Sequence, residues 1–382
     1  MDHLPRLVDC TLREGQQAAG VYFNSEQRRL LLRLLGSVGV DEIEIGYSAR
    51  DAEIAGQIAE ARDLAPSARI AVWCRALAGD IEIALAGRPD VVSVSAPVSD
   101  LHIEHRLRKS RSWVLERVGQ LGRILSTRNV YASLGLEDAT RAQPEFVVEV
   151  AQAAEAAGFA RVRIADTVGI GTPASIALLV EMLKARVSVD IGIHAHNDFG
   201  MGAANALTAL HAGAKWADVS VLGVGERAGI ASLEEVVGFM NLRLHRREYD
   251  LRPLATLAAL MADVTGDPLS KRRPIVGKAI FECESGLHQD GIAKLSETYE
   301  PYAPEKIGAA WTLSLGMKAG GAAVRSALAR CGIEADPMSI SEITARLRAA
   351  SREAGRALTQ AEFVELAHQV VWKVNGLQPG SA

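Results

Sequence analysis

Three stretches of the chain repeat one cadence, in which an apolar helical run ends at a glycine and a short strand follows. They are LLRLLGSVGVDEIEIG, AAEAAGFARVRIAD and ALHAGAKWADVSVLG, with Gly39, Gly158 and Gly213 at the joints. Glycine suits those joints because it accepts the positive φ that closes a helix C-terminus. The first helix opens at Asn24 with Gln27 three residues on, the spacing of a capping box, and Leu30, Leu31, Leu34 and Leu35 mark its apolar face. Strand patterns fall at 6–10, 42–46, 70–75, 91–97, 130–135, 161–166, 191–197 and 218–223. Eight strands alternating with helices and closing near residue 225 predict an α/β fold of the TIM (β/α)8 barrel type. No G-x-G-x-x-G follows the first strand, which disfavours a dinucleotide-binding sheet. Beyond about residue 250 the strand signal fades; 265–320 is rich in Gly, Pro and polar residues, and 322–375 reads as two or three helices. The predicted organisation is a catalytic barrel over 1–255, then a linker and a mostly helical C-terminal extension over 256–382.

Length agrees, since 382 residues exceed the roughly 250 that such a barrel needs. Hydrophobic residues make up 48% and charged residues 23%, with a net charge of −4, so no basic surface points to nucleic acid or to anionic membrane. No signal-peptide layout opens the chain and no apolar run is long enough to span a bilayer. The cysteines Cys10, Cys74, Cys283 and Cys331 are scattered without a C-x-x-C pair, which reads as reduced thiols in a cytoplasmic protein.

Polar and unusual residues gather at one end of successive strands, where TIM-barrel chemistry is done. DCTLREGQQ follows strand 1, bringing Asp9, Arg13, Glu14 and Gln17; Glu44 lies in strand 2 and Arg75 ends strand 3. Glu137 and Asp138 follow strand 5, Thr167 follows strand 6, His194 and His196 end strand 7, and GVGERAG follows strand 8. Residues two apart on a strand share a face, so both imidazoles of His194-Ala-His196 can meet one ion. A lone strand histidine is more often a hydrogen-bonded core residue; two in register with a carboxylate favour metal. Glu14 is the candidate carboxylate, because strands 1 and 7 contribute to the same interior layer. Arg13 reads either as a surface ion pair or as a cation for a developing oxyanion. Asp9 reads as a structural partner of Arg13 or of a backbone amide. Glu226-Arg227 divides evenly between an ion pair fixing its loop and a direct role. Farther on, FECESGLHQDGIAK carries His288 in a glycine-rich polar run, and Tyr299 follows.

DCTLREGQQ resembles the D-x-T-L-R-[DE]-G-x-Q signature of the DRE-TIM metallolyase superfamily. HAHNDFGMGAANALTALHAGA, GVGERAGIASLEEV and ESGLHQDG are similar to further motifs of its Claisen-condensing branch, the isopropylmalate, citramalate and homocitrate synthases. SVSAPVSDLHIEHRLRKSRSWVLERV and SLGLEDATRA look most like the homocitrate synthases of nitrogen fixation. The resemblance spans nearly the whole chain. It implies acetyl-CoA and 2-oxoglutarate as substrates, homocitrate and CoA as products, and one divalent ion (Mg, Mn, Zn or Co) held by Glu14, His194 and His196. It further implies that Arg13 stabilises the keto oxygen and that Gln17, Glu44 and Thr167 line the substrate pocket. His288 and Tyr299 would reach in from the partner of a domain-swapped homodimer and assist proton transfer with Glu137.

Several positions depart from the family pattern. Val224 stands where isopropylmalate synthases carry a metal-binding Asn, which homocitrate synthases also lack. Ser48 replaces the proline of E-x-G-x-P, and Gly316-Met317-Lys318-Ala319-Gly320 replaces G-K-H-S-G. Ser133 occupies the place of the arginine that grips the distal carboxylate in lysine-pathway homocitrate synthases, so Arg75 and His102 become the candidates for that task. The chain stops before a leucine-binding regulatory domain, and feedback by leucine is not expected. The rival readings are a sister synthase acting on pyruvate or 2-oxoisovalerate, an amidohydrolase-like metal hydrolase, and a silent metabolite-binding relative. The hydrolase is disfavoured because its H-x-H follows strand 1, not strand 7.

Overall fold

The computed structural model describes residues 4–48, 53–245, 249–284, 288, 291–292, 294–310 and 312–374. The chain divides into two units, Met1–Leu269 and Ser270–Ala382. In the first, eight parallel strands form a closed barrel in sequence order. They are β1 (Arg6–Asp9), β2 (Glu42–Tyr47), β3 (Arg69–Arg75), β4 (Val91–Pro97), β5 (Tyr131–Glu137), β6 (Arg161–Asp166), β7 (Asp190–Ala195) and β8 (Trp216–Val219). The register Arg6↔Trp216 through Asp9↔Val219 closes the ring. Around it run α1 (Ser25–Val38), α2 (Ile54–Leu64), α3 (Ala78–Ala86), α4 (Arg111–Ser126), α5 (Pro144–Ala156), α6 (Pro173–Lys184), α7 (Gly202–Ala212) and α8 (Leu233–Gly238). The helix α9 (Leu254–Thr265) packs against α1 and buries Leu254, Leu257, Ala258 and Met261, so it belongs to the barrel unit. A boundary at 255/256 would cut that helix. The second unit holds a short ladder of β9 (Glu282–Cys283) with β10 (Thr312–Leu313) and three helices, α10 (Gly321–Arg330), α11 (Pro337–Ala354) and α12 (Gln360–Val374). Val324, Ile343, Leu347 and Phe363 form the centre of its own core.

The repeated cadence folds as its glycines require. Gly39, Gly158 and Gly213 take φ of 83°, 92° and 120°. The Asn24–Gln27 capping box is reciprocal, with bonds of 2.9 and 3.0 Å. The buried face of α1 is Leu31, Leu32, Leu35 and Val38, whereas Leu30 is exposed and Leu34 half-buried. The helix is rotated from the expected face because Arg28 also turns inward and donates to the Ile45 carbonyl at 3.3 Å.

Strand 8 lies earlier than its apolar run suggests. Hydrogen bonding with β1 occupies Trp216–Val219; Ser220 then bridges to Ser232, and Leu222, at φ 56°, turns the chain. Its amide donates to Glu234 Oε2 at 3.1 Å. Val221 and Val224 are apolar because the loop packs inward, not because they pair in a ladder. Cys10 and Cys74 are buried, Cys331 is half-buried, and all three are free. Among the described residues no helix is long and apolar enough to cross a membrane.

The barrel interior is layered in charge. On β2, β6 and β8, Glu42, Arg161 and Trp216 make a lower layer, and two residues on Glu44, Arg163 and Asp218 make an upper one. In the lower layer Arg161 Nη2 donates to Glu42 Oε1 at 2.7 Å, and its guanidinium lies 4.7 Å from the centre of the Trp216 ring.

Two glycines on α4 give a test of the packing. A Cβ on Gly119 would meet only the end of Arg123 at 3.6 Å, whereas one on Gly122 would lie 2.4 Å from Ala157 Cβ and 2.5 Å from its carbonyl oxygen. Gly119→Ala is therefore expected to stabilise the fold by about 0.5–1 kcal/mol through helix propensity. Gly122→Ala should destabilise it by about 1–3 kcal/mol through overpacking. Denaturant unfolding of both variants checks the pair, and equal signs would refute the close approach of α4 to the end of α5.

Candidate active site

The upper end of the barrel brings two imidazoles and one carboxylate together. His194 lies in β7 and His196 one residue past its end, where a bridge to Ile230 holds it. Both point into the barrel mouth, with ring centres 5.1 Å apart. His194 Nδ1 donates to Asp218 Oδ2 at 2.8 Å, and His196 Nδ1 donates to the Gly229 carbonyl at 3.2 Å. Each bond holds its ring through Nδ1 and leaves Nε2 as the nitrogen available to an ion. Burial, then His194, holds the His196 pKa down to about 4, so the ring is neutral at pH 7.

Glu14 reaches the same point from a turn in which the amides of Arg13 and Glu14 donate to the Cys10 carbonyl at 3.0 and 2.7 Å. Its Oε2 lies 3.7 Å from His194 Nε2, and one ligand atom each from Glu14, His194 and His196 lies within 4.8 Å of the other two. Burial raises the Glu14 carboxyl, but Arg13 and the two histidines outweigh it and hold the group ionised, well below the usual range. Two glycines of the β8 loop make room. A Cβ on Gly225 would sit 3.0 Å from Glu14 Cγ, and Gly229, at φ 79°, approaches the Gly223 carbonyl so closely that a Cβ would lie 1.8 Å from its oxygen. Cys10 forms a second close trio with His194 and Asp218. Burial and then Asp218 push its thiol well up, which makes it a poor ligand beside the first trio.

Behind the imidazoles runs a closed circuit of buried charges. Arg13 donates through Nε to Glu44 Oε2 at 2.5 Å and through Nη1 to Glu14 Oε2. Arg163 Nη1 donates to Glu44 Oε1 at 3.2 Å and to Asp218 Oδ2 at 2.7 Å. Asp218 accepts from His194, and His194 faces Glu14, which completes the loop. Burial raises Glu44, yet Arg13 and Arg163 hold it ionised.

At the rim, Glu137 ends β5. It meets His102 Nδ1 at 3.2 Å and accepts from Arg106 Nη2 at 2.7 Å. Both residues stand on a single π-helical turn, Leu101–Arg106. Thr167 Oγ1 accepts from the Asp138 amide at 2.8 Å, and Gln17 Oε1 accepts from Arg13 Nη1 at 3.0 Å. A cavity of about 280 Å³ is lined by Arg13, Glu14, Gln17, Glu137, Thr167, His194 and His196 together with Arg106 and Arg163. An adjoining one of about 460 Å³ shares Arg13, Gln17, Trp73 and Arg106 and adds Tyr47 and Arg75. Most of the residues singled out from the sequence thus converge.

Others are placed elsewhere. Ser133 lies below the cavity, fully buried, and its hydroxyl accepts from Arg161 Nε at 2.9 Å, so it does not line the site. Arg75 faces the adjoining cavity but is held by Asp80 through bonds of 2.8 and 3.0 Å. Arg227 pairs with Asp198, at 2.8 and 2.9 Å, and not with Glu226, whose amide donates to Glu14 Oε1 at 3.2 Å. The reversal follows from the backbone, because Arg227 at φ 57° turns its side chain toward the β7 loop. Asp9 accepts from the Thr11 amide at 2.9 Å and hydroxyl at 3.0 Å, a structural role. In the second unit His288 stacks on Tyr299 with ring centres 4.2 Å apart. Arg163, Asp218 and Arg106 were missed. The first two were visible as charged residues inside otherwise apolar barrel strands, while Arg106 was one cation among several in a basic segment.

A family model described as HMGL-like matches residues 4–261, and one described as homocitrate synthase post-HMGL domain-like matches 275–354. The chain belongs to the HMGL-like family. Within the DRE-TIM superfamily it is an enzyme of the acyltransferase-type condensing class. It is 38% identical over 320 residues to 2-isopropylmalate synthase 2 of Caldanaerobacter subterraneus, covering 83% of each chain. It is 36% identical over 359 residues to a homocitrate synthase of Frankia sp., covering 94% of this chain and 88% of that one. The fold is shared with the HMG-CoA lyase of Brucella melitensis, with a TM-score of 0.60, 19% identity, and 70% and 100% of the two chains covered.

The donor set of this HMGL-like enzyme fits a divalent ion. It offers two imidazoles held through Nδ1, with Nε2 available, and one ionised carboxylate, beside a cavity that leaves other positions to substrate and water. His196→Ala is expected to remove metal-dependent activity and tight binding of Mn²⁺ or Zn²⁺. Asp218→Asn should weaken metal binding by about 10–100-fold, because His194 loses its orienting carboxylate. Equilibrium dialysis of folded variants measures both, and wild-type affinity in either one refutes its role.

Proposed function

We propose that the protein condenses acetyl-CoA with a 2-oxo acid and hydrolyses the resulting thioester, and that its 2-oxo acid is 2-oxoglutarate, making it a homocitrate synthase of the nitrogen-fixation type. The observation that carries the reading is the convergence of His194, His196 and Glu14 beside the Arg13 guanidinium. A divalent ion held by those three side chains would serve as Lewis acid and template for the carboxylate and carbonyl of the oxo acid.

The residues around it supply the remaining roles. Arg13 has its Nε and Nη1 committed to Glu44, Glu14 and Gln17, and its Nη2 makes no hydrogen bond among the described residues. That nitrogen is the donor for the keto oxygen as it takes up negative charge. Glu137, kept ionised by His102 and Arg106, is the base for a methyl proton of the acetyl group. The new carbon–carbon bond joins that methyl carbon to the keto carbon, whose oxygen ends as a hydroxyl. Water then cleaves the thioester and releases CoA. Thr167 and Gln17 bound the space for the oxo acid, and Glu44 acts by holding Arg13. His288 and Tyr299, stacked together, would act on the same chemistry from the second copy of a domain-swapped dimer.

Release of CoA from acetyl-CoA with a panel of 2-oxo acids tests the substrate. Preference for 2-oxoglutarate is expected; preference for pyruvate or 2-oxoisovalerate would shift the assignment to a sister synthase. His288→Ala is expected to lower kcat by about 10²–10⁴-fold, the range for loss of a general acid or base, with metal still bound. Unchanged turnover in that variant removes His288 from the mechanism.

A further inference from the structure

A 2-oxo dicarboxylic acid brings a second carboxylate into the mouth of the barrel, and that charge needs a cation. Most cations lining the two cavities are already committed. Arg13 is held by Glu14, Glu44 and Gln17. Arg163 is buried and bridges Glu44 and Asp218. Arg75 makes a fork-like pair of bonds to Asp80. Breaking any of these would strand a carboxylate that is itself buried, at 0%, 2% or 6% side-chain exposure, which is costly.

Arg106 differs on each count. Its side chain is 50% exposed and lines both cavities. Through one nitrogen it meets one carboxylate, Glu137 at 2.7 Å, and that carboxylate keeps a second partner, His102 at 3.2 Å, if Arg106 leaves. The π-helical turn that carries it is closed by Leu107 N to His102 O at 3.0 Å and Lys109 N to Ile103 O at 2.9 Å. Single π turns of this kind recur at functional sites. A half-exposed guanidinium anchored at its base and tied through a single nitrogen is suited to exchange one carboxylate for another.

We propose that Arg106 binds the distal carboxylate of the 2-oxo acid, exchanging Glu137 for the substrate. The inference rests on the dicarboxylic reading of the substrate given above. It makes Arg106 the residue that selects for a charged tail, in place of the strand-5 arginine whose position Ser133 fills. It also joins binding to chemistry, since the arriving carboxylate draws a cation away from the base and leaves that base more basic.

The test compares wild type, Arg106→Gln and Arg106→Lys with 2-oxoglutarate and with 2-oxobutyrate, which lacks the distal carboxylate, after thermal melts show that the variants fold. Arg106→Gln is expected to lower the preference for 2-oxoglutarate over 2-oxobutyrate, read as the ratio of their kcat/KM values, by about 10–100-fold, the worth of a charge-assisted hydrogen bond. Arg106→Lys should recover part of the loss. Equal losses with both oxo acids, or no loss with 2-oxoglutarate, overturn the assignment of Arg106 while the dicarboxylic reading stands on the wild-type preference. A wild type that favours 2-oxobutyrate overturns the substrate reading and this inference with it.

Discussion

The structure depends on a closed circuit of opposite charges inside a parallel barrel. Arg13, Glu44, Arg163, Asp218, His194 and Glu14 each meet the next, and Glu14 returns to Arg13. Every carboxylate of the circuit is at most 2% exposed. Ions so placed lose hydration worth several kcal/mol each, and only near-complete mutual pairing offsets that cost. The pairing is near-complete everywhere except at the mouth. There two guanidiniums face three carboxylates, and the imidazoles converge beside the carboxylate left over. The arrangement is a standing demand for a cation. A divalent ion there would turn the local balance positive, which suits an anionic oxo acid.

Much of this was legible in the chain, for physical reasons. Helix-ending glycines and the eightfold recurrence of strand patterns reflect backbone geometry that few other residues tolerate, and all three joint glycines take positive φ. His194 and His196 share a face because strand periodicity is two, and Glu14 meets them because strand 1 returns to strand 8 in a closed ring. What could not be read was which partner each charge chooses. Arg227 stands next to Glu226 in the chain but pairs with Asp198 across the mouth, because its positive φ redirects the side chain. Strand 8 was placed late because the loop after it is as apolar as the strand. Ser133 was expected at the pocket from its place in the family pattern, yet serine is too short to climb from the layer it occupies and instead accepts from Arg161.

The same residue types serve different ends in adjacent layers, and saturation of their hydrogen bonds separates the two. In the lower layer Arg161 is wholly buried, bonded to Glu42 and Ser133 and stacked near Trp216. Its charge is spent on shape. Arg13, on the turn after β1, lines the cavity with Nε and Nη1 engaged and no hydrogen bond from Nη2 among the described residues. A donor held rigid by its neighbours, with one nitrogen left over, is preorganised: it can meet a developing oxyanion without first being desolvated or turned. The difference between a structural and a chemical arginine is therefore one nitrogen.

That criterion also ranks the groups at the rim. Glu137 is tied to His102 and Arg106, so as it stands it is a carboxylate held ionised and low, well suited to remain charged and poorly suited to take a proton. A base must gain affinity for a proton when the substrate is in place, and here that gain can come from loss of a neighbouring cation. The buried circuit cannot supply it, because each of its cations is shared between two buried carboxylates and moving one would weaken both pairings at once. The half-exposed Arg106 can leave at far lower cost, since water replaces what it loses. Rigidity at the floor of the site and exchange at its rim are thus consequences of the same gradient in exposure along the barrel axis.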